Sequence, residues 1–272
     1  MNRREQTHRQ SLNGLIEPLV QSRVTAVFVA VNIAMFVVLS VTGGSTESAN
    51  LYRWGAKFGP AIQAGDWYRM LSPVVLHAGL WHLGANTFAM VLFGPRLERE
   101  FGWSAFLATY VVAGVCGVAA SYLVSPALSV GASGAVFGIV GAYGVFLIRN
   151  RKDFGVAANP VILNLAIVLV INIVFGMLVP GIDQGAHVGG LIAGAAMGWV
   201  VSPRRVVTIE DDFFIFGAPT VRTRFARAKF SRVLAAGGIG LLVASVIAWW
   251  VSSNASYDQA TMSLYAYFEL VS

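Results

Sequence analysis

Gly131-Ala132-Ser133-Gly134 opens one apolar run of this chain, and Gly185-Ala186-His187 opens another. The first continues to about Ile148 and the second to Val201. Both read as membrane crossings, on the short side of the usual span. A histidine at membrane depth is costly enough that function is its default reading. The fold therefore turns on whether the rest of the chain puts Ser133 and His187 at one depth and lets them meet.

Hydrophobic residue types make up 56% of the 272 residues and charged types 12%. Soluble domains carry about 25% charge, so the deficit points to a membrane protein. The apolar runs do not alternate, which excludes a spanning β-barrel and leaves an all-α polytopic fold. Stretches near Val24–Thr42, Leu80–Phe93, Trp103–Leu123, Ser133–Ile148, Pro160–Val179, His187–Val201 and Val233–Val251 qualify as spans. The second, fourth and sixth are short, which recesses their ends below the surface or thins the bilayer. The polar start of the chain precedes a run long enough to span, so a retained helix is expected rather than a cleaved signal peptide. Cys116, the one cysteine, sits in an apolar run as a small packing residue and permits no intrachain disulfide.

Basic residues set the expected orientation. With the N-terminus in the cytoplasm, all of the 19 Lys and Arg except Arg53, Lys57 and Arg69 fall on the cytoplasmic side. Seven crossings then leave the C-terminus outside. The net charge of +6 needs no nucleic-acid partner, since the basic run Arg222–Arg232 suits anionic lipid at the inner face. Ser133, His187, and the pair His82 and Asn86 all enter from the outside, at the ends of the three short spans. His77 shares that side.

A serine hydroxyl needs a base within hydrogen-bond reach, and His187 is the candidate. Gly190, Gly194 and Gly198 follow His187 along one helical face, and Gly134, Gly138 and Ala142 form a ridge beside Ser133. Such ridges let membrane helices approach closely, although they also occur as packing alone. His82 and Asn86 are at i and i+4, so both can donate toward one point. The Ser133 N–H lies at a helix start, where the dipole favours negative charge. These donors suit an oxyanion. Asp183 lies four residues before His187 and can either orient it or serve the turn after Pro180-Gly181. No HExxH occurs and no acidic residue lies near His77 and His82, so no metal or other cofactor is expected.

These residues resemble the rhomboid intramembrane serine proteases. The GxSG motif reads Gly131-Ala132-Ser133-Gly134, the second-span motif reads His77, His82 and Asn86, and the sixth-span motif reads Ala186, His187, Gly190 and Gly194. Asp66-Trp67-Tyr68-Arg69 is similar to the family's aromatic-arginine motif, and Gly94 to Gly102 to its G-x-x-x-E-x-x-x-G turn after the second span. The resemblance implies a six-helix protease core at 24–202, between a cytoplasmic tail at 1–23 and a basic cytoplasmic loop at 203–232. A seventh helix at 233–251 and an extracytoplasmic tail at 252–272 follow. It implies a catalytic Ser133–His187 dyad, with His82, Asn86 and the Ser133 amide stabilising the oxyanion. Gly131, Ala132, Phe137 and His77 are expected to shape the site. Phe137 departs from the tyrosine often found there; it can stack on the histidine but offers no hydroxyl. The first loop, about Gly43–Gly79, is expected to lie sideways in the outer leaflet. Its aromatics Tyr52, Trp54, Trp67 and Tyr68 suit either an interface or loop packing.

The implied activity is hydrolysis of peptide bonds in or near transmembrane segments of substrate proteins. The implied partners are those substrates and the bilayer, and the expected location is a bacterial plasma membrane. Oligomeric state and substrate identity are not written in the sequence. Two other readings stand beside this one: a client-binding relative without chemistry, and a transporter whose polar cluster lines a pathway. The Ser–His pair opposes the first. The lack of clear internal repeats or an acidic relay opposes the second.

Overall fold

In the computed structural model the described residues are 19, 21–179, 181–210 and 220–271. Within the basic loop, residues 211–219, which include the acidic and aromatic run Asp211-Asp212-Phe213-Phe214, lie outside them, as does most of the 1–23 tail. Helices dominate, and among the described residues four of them can cross a membrane by length and apolarity alone.

Helix α1 (Arg23–Thr42) is apolar on all sides, but only Thr25, Val29, Asn32 and Leu39 are buried. Their spacing marks one stripe facing the protein, with the remaining surface left for lipid. The first loop follows, with short helices α2 (Ser48–Arg53) and α3 (Gly59–Ala64) and 3₁₀ turns at Trp67–Met70 and Ser72–Val75. Arg69 staples this loop. Its guanidinium donates to the carbonyls of Tyr52 at 2.7 Å and Ala56 at 3.1 Å, pairs with Asp66 at 2.8 Å, and lies 3.9 Å from the Tyr52 ring centre. Tyr52 is accordingly buried in loop packing rather than placed at an interface, whereas Trp54, Trp67 and Tyr68 are exposed.

Helix α4 (Leu80–Phe101) is longer than the second span read from sequence. It continues through Pro95, and Gly94 to Phe101 form its last turns rather than a separate turn motif. Packing overrides the proline here, because Leu97 and Phe101 are buried in the core. Glu98 explains the motif. Its carboxylate accepts from the N–H groups of Val24 at 3.0 Å and Thr25 at 2.9 Å, and from the Thr25 hydroxyl at 2.7 Å, capping α1. Gly94 is required beside it, since a Cβ there would lie 2.6 Å from the Thr25 methyl. Gly102 ends the helix with φ +83°.

Helix α5 (Trp103–Val124) is the central post, with buried residues along its whole length. Helix α6 (Ser133–Arg149), the single turn α7 (Arg151–Phe154), α8 (Ala158–Leu178) and α9 (Gln184–Val201) follow. Helices α6 and α9 pack against α5 and each other through small residues, whereas α8 buries only Ala158, Leu165 and Gly176 and stands at the rim. The segment 203–232, expected as loop, contains a β-hairpin. Strands β1 (Arg204–Glu210) and β2 (Thr220–Ala226) pair antiparallel from Arg204↔Ala226 to Glu210↔Thr220. Helix α10 (Phe230–Asn254) packs on α5, where Cys116 donates weakly to the Gly240 carbonyl at 3.4 Å. The segment expected as a tail holds α11 (Gln259–Val271). Its Phe268 stacks on Tyr52 at 4.8 Å and its Glu269 accepts from the Tyr52 hydroxyl, so α11 clasps the first loop.

Candidate active site

The small-residue ridges meet. A methyl placed on Gly190 would overlap the Gly134 backbone, and one on Gly194 the Gly138 backbone; on Gly198 it would lie 2.6 Å from Ala142 Cα. Without side chains between them, α6 and α9 touch backbone to backbone. Gly117 extends the contact to α5, where an added Cβ would lie 2.8 Å from the Ala186 carbonyl oxygen. These contacts fix the first turn of α9 beside the first turn of α6.

Ser133 is the first residue of α6 and His187 lies in the first turn of α9, three residues after the helix begins. Both line one cavity of about 660 Å³, together with His82, Asn86, Phe137 and Asp183. Asn172 and Phe175 of the rim helix α8 also line it. The Phe137 ring stacks on His187 at 4.4 Å and 12°, fixing the imidazole plane. No hydrogen bond joins Ser133 to His187 among the described residues, and His187 Nδ1 is buried without a partner. Unliganded sites often hold such pairs apart until substrate draws them together.

Gly131 has φ +133°, which only glycine adopts without strain, and its N–H donates to the Pro73 carbonyl at 2.9 Å. A Cβ there would lie 2.6 Å from His82 Nε2 and 3.6 Å from Ser133 Oγ, so the bare backbone lets His82 approach the serine. Ala132 is fully buried as the residue before α6. Asn86 lines the cavity while its amide donates back to the His82 carbonyl at 3.0 Å. His77 does not line the cavity. It is fully buried behind His82, with the two rings 5.3 Å apart. Among the described residues no three His, Cys, Asp or Glu side chains gather into a metal-holding group.

Sequence reasoning missed the polar knot behind this cavity. Asp183 makes no hydrogen bond to the His187 ring. Its Oδ1 caps α9 by accepting from the Ala186 N–H at 2.9 Å, and its Oδ2 accepts from the hydroxyls of Ser129 at 2.5 Å and Ser121. Lys57 joins from the first loop. Its backbone pairs with Ser129 in both directions at 2.9 Å, and its ammonium donates to the Ser125 carbonyl at 2.7 Å. Burial pulls the Lys57 ammonium down to about 8 despite the Asp183 charge. Burial alone would raise Asp183, but the two hydroxyls, the Ala186 N–H and Lys57 together hold its carboxyl below the usual range. One network thus ties the first loop and the segment entering α6 to the helix that carries His187. Two signals pointed to it: Asp183 occupies an N-cap position, and Lys57 is one of three basic residues on the sparsely charged side.

Comparison with known proteins places these features in a family. The rhomboid domain matches residues 64–204, just over half of the chain. This chain belongs to the rhomboid family. It is 42% identical over 170 residues to the rhomboid protease GluP of Bacillus subtilis, covering 62% of this chain and 33% of that protein. It is 36% identical over 154 residues to RHOMBOID-like protein 5 of Arabidopsis thaliana, covering 56% and 49% respectively. The mitochondrial RHOMBOID-like protein 6 of the same plant is 32% identical over 157 residues, covering 57% and 50%. This rhomboid therefore spans between a third and a half of the length of these relatives. Its family and its apolar helices make it an integral membrane protein.

Proposed function

We propose that this rhomboid is an intramembrane serine endopeptidase that uses Ser133 and His187 as a dyad. The observation that carries the reading is the single cavity lined by Ser133, by His187 stacked on Phe137, and by His82 and Asn86. Ser133 attacks the scissile carbonyl and His187 accepts its proton, then returns it to the leaving amine; water releases the acyl-enzyme. His82, Asn86 and the free Ser133 N–H at the start of α6 stabilise the oxyanion. Asn86 reaches it by giving up its bond to the His82 carbonyl. A substrate helix enters from lipid and unwinds locally to expose its peptide bond. Water enters the cavity from outside, since the bilayer core holds none.

The six-helix core at 24–202 carries the chemistry, with α10 as a seventh crossing. The N-terminus lies in the cytoplasm and the site opens outward, in a bacterial plasma membrane; the distribution of Lys and Arg supports this orientation. The substrates are membrane proteins cut in or near a transmembrane segment. The test is cleavage of a model transmembrane substrate by purified protein in liposomes. Wild type cleaves, and Ser133→Ala lowers the rate about a thousandfold or more while leaving thermal unfolding unchanged. Persistent cleavage by pure Ser133→Ala protein would overturn the assignment.

A further inference from the structure

At the end of the helix bundle opposite Ser133, the start of α1, the end of α4, the start of α5 and the segment after β2 line a second cavity of about 560 Å³. Arg23, Arg99 and Arg227 line it, with Trp103 at its edge. Arg227 is held in place, since it donates to the main-chain carbonyls of Arg99 at 2.6 Å and Glu100 at 3.4 Å. Arg23 and Arg99 are exposed, and neither side chain makes a hydrogen bond or salt bridge among the described residues. Glu98 is the one carboxylate in the lining, and all three of its hydrogen bonds are spent on capping α1. The cavity thus offers two guanidiniums free of hydrogen bonds and part of a third, at the helix ends that the proposed orientation sets at the inner membrane surface. Trp103, 60% exposed, stands where interfacial tryptophans lie.

We propose that this cavity binds the phosphate of an anionic phospholipid headgroup. Guanidinium forks suit phosphate oxygens, and basic pockets between membrane helices take acidic lipid heads. A headgroup there would bridge α1, α4 and the linker that leads into α10. The site is independent of the dyad and of the reaction proposed for it.

The experiment is native mass spectrometry of the delipidated full chain, titrated with dioleoylphosphatidylglycerol or dioleoylphosphatidylcholine, with inorganic phosphate as a competitor. Wild type is expected to hold one phosphatidylglycerol about tenfold more tightly than phosphatidylcholine, and the double variant Arg23→Gln/Arg99→Gln to lose that preference. Neither arginine side chain makes a hydrogen bond or salt bridge among the described residues, and the Arg99 carbonyl that holds Arg227 is kept in the variant, so the variant should fold. The control Arg151→Gln/Lys152→Gln removes the same charge elsewhere and is expected to retain the preference. Equal lipid binding by wild type and the pocket variant would overturn the proposal, as would an equal loss in the control. Displacement of the lipid by inorganic phosphate at matching concentrations would overturn the lipid as the source of the anion.

Discussion

Lys57 is a buried cation whose ammonium titrates near 8, below the roughly 10.4 of an unfolded chain. Between those values the unfolded state binds more protons, so this residue's contribution to stability rises with pH across that window. Below about pH 8 the charged, buried form costs stability. The expected outcome is a thermal midpoint for wild type that gains on Lys57→Met as pH rises from about 8 to 10. A constant difference between the two proteins across that range would contradict the assignment. Asp183 runs the other way. Its depressed carboxyl adds stability above the usual carboxylate range, and that contribution is lost as pH falls through its lower folded value. At this scale motif spacing was enough to single out Ser133, His82 and His187, which the structure brings to the lining of one cavity. The Asp183 partners Ser121 and Ser129 were not legible in this way, because isolated serines in apolar or turn segments carry no periodic signal.

The contact between α6 and α9 is the element on which the cavity depends. Gly194 has no room for a side chain against Gly138, so Gly194→Val forces the helices apart. Overpacking here is expected to cost about 3 kcal/mol or more, read as a lowered midpoint in detergent, with loss of cleavage. The Asp183 knot holds the same two helices from the loop side. Asp183→Ala is expected to lower kcat roughly tenfold to a hundredfold with little change in KM, because the misplaced groups are those that act in the transition state. Asp183→Asn keeps an acceptor for the Ala186 N–H and should recover part of the loss. An unchanged kcat in Asp183→Ala would mean that the knot is only structural. The glycine ridges were legible because their spacing follows the helical period. The full length of α4 was not, since Pro95 and the charges after it read as a break. Burial of Leu97 and Phe101 and the capping role of Glu98 outweigh that local signal.

Across the whole molecule, the face that carries the cavity is organised by the first loop, which contacts the entry to α6 through Lys57 and Ser129 and α11 through Tyr52 and Phe268. Phe268→Ala should therefore raise amide exchange in residues 43–79, with no change in residues 133–149. The β-hairpin and α11 escaped the sequence reading because short, weakly periodic segments resemble loop until a partner surface is known. The composition and motif set made the fold class legible, while the clasp of α11 on the first loop joins segments over two hundred residues apart and leaves no local signal. The central claim is that Ser133 is a nucleophile activated by His187 within this cavity. The most direct test is labelling of purified protein with a serine-directed fluorophosphonate, with the modified residue mapped by mass spectrometry. The account predicts a single adduct on Ser133 in wild type, lost in Ser133→Ala and strongly reduced in His187→Ala. Labelling of Ser133 that is undiminished in His187→Ala, or no labelling of folded wild type, would contradict it.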